Sequence, residues 1–116
     1  MDNRPAQLAD LKVVKLARIL AGPWIGQTLA DLGANVIKIE SPEGDDTRHW
    51  GPPFAQDAHG VDSDAAYFHA CNRGKRAVVA DLRTPEGHTL ATRLARDADA
   101  FIENFKVGAL QKLGLE

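Results

Sequence analysis

A strand–helix–strand pattern in the first 40 residues constrains the fold more than any other feature of this sequence. Two runs rich in apolar and β-branched residues, 11–17 and 35–40, are typical of strands. Between them, apolar residues recur at helical spacing over 24–32; Pro23 suits the first helical position, and Gly33 favours a helix end. A strand, a helix and a second strand within about 30 residues predict a βαβ unit with parallel strands and a right-handed crossover.

The same pattern recurs in the second half of the chain. The run 77–82 predicts a third strand, and 99–103 predicts a short fourth strand. Between them, Thr84 is a typical helix cap and Pro85 suits the first helical position, so a helix should begin there. A last short helix is predicted over 107–113. Two such units predict an α/β fold with an open parallel sheet and flanking helices.

The remaining segments have no clear periodicity. Residues 1–10 are a polar lead-in, and 41–64 contain many turn residues, which predicts a long functional loop or a partly disordered one. A short helix or turn is expected over 65–71, followed by a basic turn at 72–76.

Composition excludes several classes of protein. The 116 residues are enough for one domain or a piece of one, and 44% of them are hydrophobic, as in ordinary globular chains. The net charge of −2 disfavours bulk nucleic-acid binding. No apolar run approaches the ~20 residues of a membrane helix, and the polar N-terminus lacks a signal core. The single Cys71 fits a reducing cytoplasm.

Open parallel sheets bind ligands at the carboxyl ends of their strands, so candidate contacts lie just after each predicted strand. The turn at Gly22 precedes a helix but matches neither the dinucleotide nor the P-loop fingerprint, which leaves a plain turn or an anion site. Arg83 is either a surface arginine or a phosphate ligand. The basic turn at 72–76 has the same two interpretations. The spacing of the four histidines does not predict a metal site.

A series of segments, taken in order, carries a family resemblance. These segments are 18–24, 29–40, 44–48, 50–54, 67–68, 72–76, 81–87, 98–99 and 103–105. Together they resemble the N-terminal region of the class III (family III) coenzyme A transferases. That family includes formyl-CoA and carnitine-CoA transferases and α-methylacyl-CoA racemases.

The resemblance implies a Rossmann-like sheet in the large domain of an interlocked homodimer, with coenzyme A (CoA) bound at the strand ends. Residues 11–116 would then form an incomplete, N-terminal CoA-binding portion of that domain. By motif position, the resemblance implies eight CoA contacts: Arg18, Ile19, Ala21, Ala80, Arg83, Asn104, Phe105 and Lys112. The sequence departs from the family pattern at Lys15, where an acidic residue is usual, and at Ser41, where some members have a basic residue.

The resemblance also implies a reaction. In the family's transferases an aspartate attacks the acyl-CoA thioester, and CoA passes to an acceptor carboxylic acid. No aspartate of this chain matches that motif, so we expect no catalytic residue within it and no transfer by these residues alone. Two alternatives remain: a portion of a racemase, and a non-catalytic CoA-binding or partner-pairing module. We expect a cytoplasmic protein without a metal cofactor, whose partners are acyl-CoA and a carboxylic acid.

Overall fold

The computed structural model describes residues 6–115, which form two sheets, four helices and a 3₁₀ turn. The strands are β1 (Lys12–Lys15), β2 (Asn35–Glu40), β3 (Phe54–Gln56), β4 (Asp62–Ala65), β5 (Arg76–Val79) and β6 (Ala100–Ile102). The helices are α1 (Ala21–Asp31), α2 (Ala66–Cys71), α3 (Pro85–Arg96) and α4 (Ala109–Lys112), and the 3₁₀ turn is Asp46–His49.

The main sheet has four parallel strands in the order β5-β2-β1-β6. Val13 of β1 lies opposite Val36 of β2 and Ala100 of β6. The two central strands are mostly buried, whereas β5 and β6 form the edges. The predicted α/β fold with an open parallel sheet is therefore confirmed, and each predicted strand of this sheet is present.

Both faces of the main sheet are covered, because successive side chains of a strand point to opposite faces. Val14 and Ile39 pack on one face with Ala91 of α3. Val13 and Val36 pack on the other face, against side chains of α1 and of the segment before β1. This arrangement leaves the carboxyl ends of the strands at one edge of the sheet.

Helix α1 packs its two glycines closely against the sheet side, and two of its large apolar residues face outwards. It begins at Ala21, two residues before the predicted start, and Pro23 lies in its first turn, where proline is tolerated. A Cβ atom on Gly22 would lie 2.1 Å from the Cβ of Ala17, so only glycine allows this close approach. Trp24 and Ile25 consequently face outwards and are 54% and 51% exposed.

Helix α3 begins as its local sequence predicts. Thr84 is the N-cap, and its Oγ1 accepts a hydrogen bond from the backbone N–H of Gly87 at 3.1 Å. Pro85 occupies the first turn. Because this chemistry is local, the sequence was sufficient to predict it.

The segment 41–64, predicted as a long functional loop or a partly disordered one, has regular structure that the sequence did not predict. This segment contains the 3₁₀ turn and the antiparallel pair β3–β4. At the hairpin end, Asp57 Oδ1 accepts hydrogen bonds from the backbone N–H groups of His59 and Val61, at 2.8 and 2.9 Å. The strands are too short to show period-2 alternation, so side chain–backbone bonds, not patterning, define this unit.

The lead-in predicted at 1–10 is only partly within the described residues, since 1–5 lie outside them. Over 6–10 the chain forms a turn, and the backbone N–H of Leu8 donates to the carbonyl of Leu32 at 3.0 Å. Leu8 also packs on the core, so this part is tied to the domain. Within residues 6–115, no helix has the length and apolar character needed to cross a membrane.

Candidate functional site

A cleft of about 820 Å³ opens at the carboxyl ends of the main-sheet strands. Its floor includes the ends of β1, β2 and the segment after β5, and one wall comes from the residues after β6 together with α4. This is the edge where ligands bind on open parallel sheets. Six of the eight predicted CoA contacts line this cleft: Arg18, Ile19, Ala80, Arg83, Phe105 and Lys112.

The β1–α1 turn holds a strained residue at the mouth of this cleft. Ile19 has φ of +67° and is the one non-glycine residue among positions 6–115 in the left-handed region. That conformation is unfavourable for a β-branched side chain, and such strain is often found at functional sites. Ala21, predicted as a contact, begins α1 and is not among the lining residues of the described cleft.

Asn104 fixes this turn from the neighbouring strand end. Its Oδ1 accepts a hydrogen bond from the Arg18 backbone N–H, and its Nδ2 donates to the Arg18 carbonyl, both at 2.9 Å. The side-chain amide therefore bonds to both peptide units that flank the Cα of Arg18. It accepts from the preceding unit and donates to the following one. Asn104, also predicted as a ligand contact, is exposed and is not among the residues that line the cleft; its side chain bonds to the backbone of Arg18.

An aromatic ring and a cation adjoin each other inside the cleft. The Arg18 guanidinium carbon lies 5.5 Å from the centroid of the Phe105 ring, within the range of a cation–π contact. Phe105 also packs against the core, which holds the ring in place. The pair offers a flat apolar surface beside a positive charge.

Arg83, on the opposite wall, is held by carboxylates. Its Nε lies 2.9 Å from Asp81 Oδ1, and its Nη2 lies 3.2 Å from Asp81 Oδ2 and 3.4 Å from Glu43 Oε1. The hydrogen bond from Arg83 lowers the pKa of Asp81, and the same contact raises the pKa of Arg83. Arg83 is mostly exposed, so these ion pairs are weak enough to be exchanged for a ligand.

The cleft floor also contains a nearly buried ion pair, Lys38–Asp45, that was not predicted from the sequence. Lys38 Nζ lies 2.5 Å from Asp45 Oδ2, and both side chains are nearly buried. Burial opposes ionisation of Asp45, but hydrogen bonds from Lys38 and Thr47 hold its pKa at about 2. Beside this pair, Glu40 accepts hydrogen bonds from Arg48 Nε at 3.2 Å and Nη2 at 2.5 Å. Charged residues at alternate positions of a buried strand were the available signal.

The other candidates from the sequence lie elsewhere. Arg73 pairs with Asp31 at 2.6 Å, and Arg76 donates to Asn35 Oδ1 at 2.6 Å near the amino ends of the strands. The basic turn is therefore not part of this cleft. Among residues 6–115, no group of three or more His, Cys, Asp or Glu side chains is arranged to hold a metal ion.

Comparison with known proteins agrees with this architecture. The solved structure of a CAIB/BAIF family protein from Brucella suis superimposes with a TM-score of 0.90 and 65% identity, covering 97% of this chain and 29% of that one. Succinate–glutarate CoA-transferase of Agrobacterium fabrum is 61% identical over 117 residues, covering 100% of this chain and 29% of the relative. Human succinyl-CoA:glutarate CoA-transferase is 40% identical, covering 97% of this chain and 25% of the relative.

The chain thus spans less than a third of the length of these relatives. The sequence model described as CoA-transferase family III matches residues 8–116, almost the whole chain. The chain belongs to CoA-transferase family III.

Proposed function

We propose that this chain binds the nucleotide end of CoA in the cleft, as part of an enzyme that transfers CoA between carboxylic acids. The names of the two curated relatives both specify CoA transfer, and both mention glutarate. They favour transfer over racemisation, and they favour a dicarboxylic acid as the acceptor class. The aspartyl intermediate implied by the family resemblance belongs to this proposal, and we assign its aspartate to no residue of this chain.

One observation carries the proposed binding site: the charges of the cleft are segregated. The wall built from the β1–α1 turn, the residues after β6 and α4 is lined by three cations, Arg18, Lys106 and Lys112, and by no carboxylate. The Glu103 carboxylate of the same segment is outside this lining and accepts a hydrogen bond from the Phe105 backbone N–H. CoA has several phosphate charges next to an adenine ring. A cationic wall that includes the Phe105 ring offers charge-assisted bonds to the phosphates and a stacking surface for the base.

The opposite wall has a different role in this proposal. Arg83 is already bonded to Asp81 and Glu43 through Nε and Nη2, so those carboxylates partly compensate the charge that it would offer to a phosphate. We therefore expect Arg83 to contribute less affinity than the cations of the carboxylate-free wall.

Calorimetric titration of CoA into the 116-residue chain tests the site. Arg18→Ala and Lys112→Ala should each weaken CoA binding at least about tenfold, because each removes a charge-assisted bond of roughly 1.5–3 kcal/mol. Arg83→Ala should weaken it less. Arg76→Ala is the matched control: it removes one arginine near the other edge of the sheet, and the dissociation constant should not change.

Added salt should weaken binding of CoA to the wild-type chain, since the contacts are partly exposed charges. Equal loss of affinity in Arg18→Ala and Arg76→Ala would refute the cleft as the CoA site. It would indicate a general charge effect instead.

The transfer reaction has a separate test. Succinyl-CoA and glutarate incubated with the isolated chain should give no glutaryl-CoA, although CoA binds. Product formation would show that these residues contain the catalytic group. The interlocked homodimer and the cytoplasmic location are also proposals here; family resemblance supports the first, and the single buried Cys71 supports the second.

A further inference from the structure

Three lysine side chains meet inside the domain, on the sheet face opposite α3. Lys15 of β1 and Lys38 of β2 lie directly opposite each other in the strand register, and they are 0% and 3% exposed. The third, Lys75, comes from the turn before β5 and lies against α1, where its Cε would be 3.1 Å from a Cβ placed on Gly26. Lysine is almost never fully buried without a charged partner.

The charges of this lysine cluster do not balance. Lys38 pairs with Asp45, while Lys75 Nζ donates to the neutral carbonyls of Pro23 and Cys71, each at 2.8 Å, and to Asn72 Oδ1 at 3.0 Å. The neighbouring Glu40 is already engaged by Arg48. Lys15 Nζ is buried and has no hydrogen-bond acceptor among the described residues.

Of the three lysines, Lys15 is therefore the one whose amine loses its proton most readily. Burial, the contact with Lys38 and the charges of Lys38 and Lys75 together lower its pKa to about 6, and the opposing effect of Asp45 is smaller. A neutral amine can accept a hydrogen bond from the Lys38 ammonium, which satisfies both groups. Even then, Lys38, Lys75 and Asp45 leave one positive charge uncompensated in the interior.

We propose that Lys15 is a site of reversible carbamylation by carbon dioxide. The lone pair of its neutral Nζ attacks the carbon of CO₂ to form an N–C bond, and one C=O electron pair moves to oxygen. The nitrogen then releases a proton to solvent, leaving an N-carboxylate with one negative charge. No oxidant, reductant or other co-reactant takes part.

The carbamate supplies the anion that the lysine cluster lacks. Its charge and that of Asp45 together equal the charges of Lys38 and Lys75, so the cluster becomes neutral. The carbamate oxygens would accept a hydrogen bond from the Lys38 ammonium, whose other partner is Asp45. Lys75, whose three donors are already engaged, would contribute only its charge. CO₂ is small and uncharged, and Lys38, which contacts Lys15, also lines the cleft, so the amine lies one side chain behind the cleft surface.

Carbon-13 NMR of the full 116-residue chain in ¹³C-bicarbonate buffer at slightly alkaline pH tests this site. The wild type should show a carbamate resonance that is absent in Lys15→Met and retained in Lys12→Met, the exposed lysine of the same strand. Any carbamate on the terminal amine remains in all three proteins and is thereby separated from the Lys15 signal. Methyl-ester trapping followed by peptide mass analysis should place the added group on Lys15.

A stability measurement gives a second, independent readout. Bicarbonate, compared with chloride at equal pH and ionic strength, should raise the melting temperature of the wild type and of Lys12→Met, but not of Lys15→Met. If folded wild-type protein shows no Lys15-dependent resonance at saturating bicarbonate, the proposal is wrong. In that case Lys15 remains an unmodified neutral amine.

Discussion

At the scale of single residues, Lys15 makes the stability of the domain depend on pH. Its pKa is about 6 in the folded chain, against 10.5 for an unperturbed lysine. Between these two values the unfolded chain binds one more proton than the folded chain, so stability increases as pH rises. The destabilising effect of Lys15 is fully present below about pH 6 and disappears as pH approaches 10.5.

Replacing Lys15 with methionine should therefore stabilise the domain, and most strongly in acid. Urea unfolding in CO₂-free buffers should show a gain in unfolding free energy that is largest near pH 6. The gain should shrink by up to about 1.4 kcal/mol per pH unit as pH rises. Lys75, whose pKa is lowered to about 8, chiefly by burial and then by the charge of Lys38, is present in both proteins.

Lys12→Met is the control, because Lys12 is exposed on the same strand and its loss should change stability little. A gain in Lys15→Met that is equal at pH 6 and pH 9 would contradict the lowered pKa. An equal gain would show that improved packing alone raises the unfolding free energy of Lys15→Met.

The residues of the cleft differ in how far the sequence could predict them. Arg18, Arg83 and Lys112 were found because family motifs mark strand ends and the last helix. Lys38 and Asp45 were not, because their pairing depends on a chain reversal between β2 and the 3₁₀ turn that no periodic pattern encodes. Long-range pairing of this kind is decided by tertiary packing.

At the scale of elements, the β1–α1 turn depends on a clamp from another strand end. Ile19 is held at φ of +67°, at a cost of order 1–3 kcal/mol, while the two hydrogen bonds of Asn104 fix the adjacent Arg18 backbone. The clamp keeps both Arg18 and Ile19 at the cleft. Asn104 is thus a positioning residue under the proposed function.

Asn104→Ala should weaken CoA binding severalfold by releasing this turn. The double variant Asn104→Ala/Ile19→Gly should recover much of the lost affinity, because glycine adopts the left-handed conformation without strain. Calorimetric titration of the single and double variants measures both effects. Asn35→Ala, an asparagine near the amino ends of the strands, should bind CoA as the wild type does.

If the double variant binds CoA no better than Asn104→Ala, then Asn104 contacts CoA directly, as the family resemblance implied. Ile19→Gly alone should bind CoA about as well as the wild type, which separates the clamp from side-chain contacts of Ile19.

The elements also show which local signals suffice to predict structure. Helix α3 was predicted from its cap because capping is a contact between neighbours in sequence. The β3–β4 hairpin was missed, because three or four residues per strand carry too little pattern. For α1 the helix was predicted but its buried face was not, since the close approach of Gly22 to Ala17 is a tertiary contact.

At the scale of the whole molecule, surfaces typical of interfaces are exposed. Trp24 and Ile25 of α1 and Leu32 at its end are 54%, 51% and 43% exposed, and Val79 on the edge strand β5 is 63% exposed. Apolar patches and open sheet edges promote association of chains. The matched relatives are more than three times longer than this chain, and the family resemblance implies an interlocked dimer.

We therefore expect the isolated 116-residue chain to self-associate. Light scattering should give an average mass above the 12.6 kDa of one chain, rising with protein concentration. The double variant Trp24→Glu/Ile25→Lys should lower that mass, because it places two charges on the apolar side of α1 and leaves the net charge unchanged. Val107→Lys is the control, since it replaces a fully exposed apolar side chain and should leave association intact.

A wild-type chain that stays monomeric at all concentrations would show that these surfaces need no partner. Association that persists in the double variant would show that Trp24 and Ile25 do not hold the chains together and would point to the open strand edges or to the other exposed apolar side chains.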